Sequence, residues 1–127
     1  MTINDYIGIP YDPLSKHGFN CWSFVASVYL NLLSSNLIEF NLKDGSQREI
    51  ASVFASALAS GEHEFKQIDK KELRNYDLVL FARNKLYHVG LWLNGKVIHC
   101  SSRANGVAIQ TLDAAKDGFK EVTFWRK

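Results

Sequence analysis

Asn94-Gly95 lies between two apolar runs, His88-Val-Gly-Leu-Trp-Leu93 and Lys96-Val-Ile-His-Cys100, and this stretch constrains the chain more than any other. Both turn residues tolerate the positive φ of a type I′ turn, so the segment reads as a two-residue β-hairpin. That turn sets the register: Leu93 faces Lys96, Gly90 faces His99, and His88 faces Ser101. Side chains alternate along a strand, so His88, Gly90, Trp92, Val97 and His99 share one face. His88 and His99 become diagonal neighbours, roughly 7 Å apart, and Gly90 leaves room for the His99 imidazole. A thiol delivered to this face would complete a thiol–imidazole–imidazole site.

The rest of the chain supplies that thiol. From Cys21 to Leu33, the residues Phe24, Val25, Val28, Tyr29, Leu32 and Leu33 follow the three-and-four spacing of an amphipathic helix, with Asn20 as its N-cap. Cys21 thus stands at a helix N-terminus, where free N–H groups and partial positive charge favour an anion. With an imidazole partner, that placement predicts a thiol pKa below its ordinary value. His17 is a rival base close in sequence, but its loop, Ser15-Lys16-His17-Gly18, reads as exposed. His63, between two glutamates, reads as solvated. Cys100 falls on the face opposite His99 and reads as a small buried hydrophobe.

A second helix is expected from Gln47 to Ser60, opened by a Ser46/Glu49 capping box and closed by Gly61. The period then changes to two. Strands are expected after Asp77 (Leu78–Phe81), through the hairpin, at Val107–Leu112 after an Asn105-Gly106 turn, and at Val122–Arg126. Helices first and antiparallel strands after predict an α+β fold, with N-terminal helices packed on one face of an antiparallel sheet. No repeat or linker divides residues 1–127, which read as a single domain.

Composition narrows the function classes. The formal net charge is +2, with no basic cluster carrying interleaved aromatics, so nucleic acid is not an expected partner. No apolar run reaches the length of a membrane span. The N-terminal residues lack the basic and apolar regions of a signal peptide, so synthesis as a soluble cytoplasmic protein is expected. Two cysteines do not make a disulfide framework. His17, Cys21, His99 and Cys100 are the pool for zinc and fit no ligand spacing, so neither metal nor cofactor is expected.

These residues resemble the NlpC-type cysteine peptidases, bacterial cell-wall endopeptidases with a papain-like α+β fold. The resemblance rests on Pro10-Tyr11, Asn20-Cys21-Trp22-Ser23, Tyr76-Asp77-Leu78-Val79-Leu80-Phe81, His88-Val89-Gly90-Leu91-Trp92 and Val97-Ile98-His99, in the family's order. It implies a catalytic triad of Cys21, His88 and His99, with the Tyr11 hydroxyl supporting the oxyanion and Trp22 and Ser23 beside the substrate. It also implies the substrate: peptidoglycan stem peptides, commonly cut between γ-D-glutamate and a diamino acid. Asn20 stands where the family has Asp, and Trp22-Ser23 where it has Ser-Gly. The aromatic residue after the cysteine resembles a phage-tail branch, and with no signal peptide read at the N-terminus, delivery to the wall by a phage tail, lysis or a secretion machine is expected. A thiol acyltransferase of the same superfamily and a catalytically silent phage-tail or envelope interaction module are the alternative classes.

Overall fold

The computed structural model describes residues 2–37, 43, 46, 48–49, 52–53, 65–84 and 86–127. Helix α1 spans Cys21–Leu33. The strands are β1 (Lys66–Ile68), β2 (Leu78–Arg83), β3 (Leu86–Leu93), β4 (Lys96–Ser101), β5 (Gly106–Gln110) and β6 (Glu121–Arg126), and a short helix α2 (Leu112–Ala115) joins β5 to β6. They form one six-stranded sheet in the order β1-β6-β2-β3-β4-β5, with every neighbouring pair antiparallel. The fold is the expected α+β arrangement.

Helix α1 forms for the expected reasons. The Asn20 side chain accepts from the Ser23 N–H at 2.8 Å, while the Ser23 hydroxyl accepts from the Asn20 N–H at 3.0 Å, a reciprocal cap on two otherwise unpaired donors. Ser34 ends the helix in the left-handed conformation, with φ 51°. Its buried stripe is Cys21, Trp22, Phe24, Val25, Val28 and Tyr29, whereas Leu33 stays exposed.

The sheet is apolar on both faces. Leu78, Leu80, Val89, Leu91, Ile98 and Cys100 pack with α1, and Val79, Phe81, Val97 and Phe124 pack with α2 and Phe119 on the other side. Val79, Phe81, Leu91, Val97 and Ile98 are fully buried, as strands covered on both faces must be.

Three boundaries differ from the sequence reading. Leu112 begins α2 instead of ending β5, because the Thr111 hydroxyl caps the helix by accepting from the Ala114 N–H at 3.2 Å. Strand β1, too short to show alternation, forms by pairing with β6 at Lys66↔Arg126, Gln67↔Trp125 and Ile68↔Phe124. The Asn105-Gly106 turn occupies 102–105, with Asn105 at φ 61° and Gly106 already paired to Ser101. The expected 47–60 helix falls mostly outside the described residues. Residues 48–49 and 52–53 are helical, and the Glu49 N–H donates to the Ser46 hydroxyl at 3.1 Å, the first bond of the expected capping box.

Candidate active site

The hairpin register holds where the ladder is formed: Leu93↔Lys96, Trp92↔Val97 and Leu91↔Ile98. It brings the histidines together, with His88 Nε2 and His99 Nδ1 2.7 Å apart and their rings edge to face. Gly90 is needed for this. A Cβ placed on it would lie 2.9 Å from the His99 Cβ and 2.9 Å from Val97 Cγ1. His88 rests against aromatic rings, tilted on Phe81 at 5.7 Å and stacked on Phe119 at 6.0 Å. His99 is only 3% exposed, and its Nε2 meets Gln110 Oε1 at 2.7 Å.

Cys21 does not come in over the histidine face, contrary to the simplest reading of the alternation. Helix α1 packs on the opposite face, against Val89, Leu91 and Ile98. The thiol opens onto the same cavity as the histidines, where β3 and β4 stop pairing. Trp92 bonds toward β2, its N–H to the Asp77 carbonyl at 2.9 Å and its carbonyl to the Tyr76 N–H at 2.7 Å. The alternate residues Leu93, Leu91 and Val89 therefore turn their N–H groups toward β4. The ladder ends at Leu91↔Ile98, and the Val89 N–H is instead one of the groups that favour the Cys21 thiolate. The Cys21 and Trp22 N–H groups at the helix start point to the same sulfur.

These three donors favour the thiolate, but burial outweighs them and pushes the Cys21 thiol up to about 11. The sequence reading expected a lowered value; the desolvation of a sulfur enclosed under α1 is the reason it is reversed. Burial, and secondarily the neighbouring His99, push His88 down to about 3. Burial also lowers His99, partly countered by its bond to Gln110. Each of these shifts favours the neutral form of its group.

Tyr11 is placed by backbone bonds around it and by packing against the α1 core. It forms a parallel bridge with Phe19, next to the α1 cap. The Phe19 N–H donates to the Pro10 carbonyl at 3.0 Å, and the Val107 N–H donates to the Ile9 carbonyl at 2.9 Å. Gly18 and Gly106 permit the close approach, since a Cβ on either would collide with the Pro10 or Ile9 carbonyl. Burial raises the Tyr11 phenol, and the two cysteines and Asp12 raise it further, so it stands as a neutral donor.

A cavity of about 250 Å³ is lined by Tyr11, Cys21, His88 and His99, with Ser102 and Arg103 among its other walls. Trp22 and Ser23, expected beside the substrate, are not among its lining residues. Trp22 is 4% exposed in the α1 core, and Ser23 is used in the helix cap, also bonding Ser15 Oγ at 2.6 Å. His17 is exposed and outside the cavity, and His63 lies outside the described residues. Cys100 is fully buried behind the hairpin, its thiol donating to the Phe19 carbonyl at 3.1 Å. Among the described residues, no three His, Cys, Asp or Glu side chains are grouped as a metal site, and no helix is long and apolar enough to cross a membrane.

Gln110, which meets His99, and the Val89 N–H, which favours the Cys21 thiolate, carry no signal in the sequence. Gln110 shares the His99 face of β5, but its register depends on a four-residue loop, Ser102–Asn105, whose length carries no unique pairing. Val89 contributes a backbone group, which leaves no residue-type signal.

Among known proteins, the chain is 26% identical over 112 residues to a probable endopeptidase NlpC homolog of Haemophilus influenzae, covering 87% of this chain and 51% of that protein. The chain thus spans about half the length of this curated relative. Its fold matches the crystal structure of the NlpC/p60 domain of the peptidoglycan hydrolase SagA with a TM-score of 0.64 and 21% identity, over 98% of this chain and 91% of the other. The NlpC/P60 family model matches residues 9–124, and the chain belongs to the NlpC/P60 family.

Proposed function

We propose that this domain hydrolyses amide bonds in the peptide stems of peptidoglycan, with Cys21 as nucleophile and His88 as general base and acid. The observation that carries this reading is the 2.7 Å contact between His88 and His99, in one cavity with Cys21, whose thiolate is favoured by backbone N–H groups at the helix start and at Val89. The names of the relatives, an endopeptidase homolog and a peptidoglycan hydrolase, support the substrate class.

His88 Nε2 is engaged with His99, which leaves Nδ1 to act on the thiol. As Cys21 Sγ attacks the substrate carbonyl, its proton passes to His88 Nδ1, so the ion pair forms along the reaction instead of standing in the resting site. The new oxyanion is steadied by backbone N–H donors at the helix start and by the Tyr11 hydroxyl. Collapse breaks the C–N bond, and the amine departs with the proton from His88. Water, deprotonated by the same ring, then cleaves the thioester and restores the thiol. His99 holds His88 in place and disperses the transient charge. The bond between γ-D-glutamate and a diamino acid is the proposed target.

Mass spectrometry of defined muropeptides incubated with the protein tests this reading. One new free amine per cleavage, with only water as second substrate, is the expected result. Uncut muropeptides of both common diamino-acid types, with the Cys21 thiol confirmed reduced, refute it. An acyl group retained from a lipid or thioester donor would instead establish the transferase class.

A further inference from the structure

Both ring nitrogens of His99 are occupied, and the two partners are chemically unequal. Gln110 meets Nε2 through its amide oxygen, at 2.7 Å. A carbonyl oxygen only accepts, so His99 Nε2 carries the proton. In the neutral ring, Nδ1 then holds the lone pair and only accepts. His88 Nε2, 2.7 Å away, must donate to it. His88 is therefore the Nε2–H tautomer, and the basic lone pair lies on Nδ1, the nitrogen not engaged with His99. Had the Gln110 amide nitrogen faced His99, each step would reverse, and His88 would present an N–H where a base is required.

We propose that Gln110 is a positioning residue that fixes the direction of this chain, holding both histidines as Nε2–H tautomers so that His88 Nδ1 is free to take the Cys21 proton. The proposal rests on the triad reading given above. Two features hold Gln110 in place. It is paired across from Val97 at the end of β5, and the next residue, Thr111, caps α2. His99 is buried at 3% exposure, so water does not readily replace the amide. Among the described residues, the other titratable groups lining the cavity are Tyr11, Cys21, Tyr87, His88 and Arg103, and none is a carboxylate. Gln110 thus orients His99 without adding charge, unlike the aspartate of a Ser-His-Asp triad.

Long-range ¹H–¹⁵N spectra of the histidine rings near pH 7.5 test the tautomers independently of turnover. Both rings are expected as Nε2–H forms in the wild type, and a His99 carrying its proton on Nδ1 overturns the proposal. Gln110→Met should lose the single tautomer and lower kcat about 10- to 100-fold, in line with losses at other orienting bonds to histidine, with little change in KM. Gln110→Glu keeps the acceptor and introduces a carboxylate. It should keep the tautomer and most of kcat while moving the acid limb of the kcat–pH profile up by about one unit. If Gln110→Met does not fold, the wild-type spectra and Gln110→Glu still decide. A folded Gln110→Met with wild-type kcat, pH profile and tautomers overturns the role of Gln110 alone. Retained turnover in Cys21→Ala or His88→Ala would overturn the triad instead.

Discussion

Gly90→Ala should damage the site through a single methyl group. The backbone at Gly90 is open to any residue, so the effect is steric. The added Cβ would lie 2.9 Å from the His99 Cβ, 2.9 Å from Val97 Cγ1 and 3.0 Å from the Ile98 carbonyl oxygen. All three belong to β4, and Val97 and Ile98 are fully buried, so none can rotate away freely. Overpacking of this kind costs about 1–3 kcal/mol. For a chain of 127 residues, each kcal/mol is worth roughly 4 °C of melting temperature, so a fall of about 4–12 °C is expected. Displacing β4 also stretches the 2.7 Å His88–His99 contact, and kcat on a muropeptide should drop about tenfold or more. Gly95→Ala is the control: it stands at φ +80° with nothing within 4 Å of its added Cβ. It should cost about 1–2 kcal/mol of backbone strain and leave kcat intact. Calorimetry and steady-state kinetics on both variants read the two effects separately. A Gly90→Ala protein with wild-type melting and kcat would refute the claim that this glycine makes room for His99.

Cys21→Ala should abolish muropeptide cleavage while Cys100→Ser, which keeps a donor for the Phe19 carbonyl, keeps most of it; the reverse pattern in folded proteins would move the nucleophile to Cys100. In the Cys100→Ser background, alkylation of Cys21 should still be rising with pH at pH 9, because burial holds the thiol up near 11; a plateau below pH 8 would contradict this. Both histidines have folded pKa values pushed below the ordinary value of about 6.5, so below that pH the unfolded chain binds more protons. Their contribution to stability is complete above about pH 6.5 and is lost as the pH falls toward about 3 for His88. Melting temperature should accordingly fall less steeply between pH 7 and pH 4.5 in His88→Gln than in the wild type; equal slopes would exclude this coupling. Tyr11→Phe should lower kcat more than it alters KM if the hydroxyl has its proposed role of meeting a developing oxyanion, and a pure KM effect would count against that role.

Features that depend on near neighbours in the chain are legible without the fold. The Asn94-Gly95 turn sets a two-residue register, and alternation then carries His88 and His99 to one face, as their 2.7 Å contact bears out. Asn20 and the spacing from Cys21 to Leu33 likewise placed a thiol at a helix start. Tertiary packing decided the rest. The hairpin's two faces are both apolar, so the pattern does not say which one α1 will cover. The helix chose the face of Val89, Leu91 and Ile98, and Cys21 opens onto the cavity that the histidines line. That choice buried Trp22, committed Ser23 to the cap, and enclosed the thiol deeply enough to reverse its expected pKa shift. The partner of His99 was also invisible, because Gln110 reaches it across a loop whose register forms only when β5 docks on β4. Hairpin register and helix caps are settled within a few residues of chain, whereas burial, desolvation and cross-strand partners exist only once distant segments have packed.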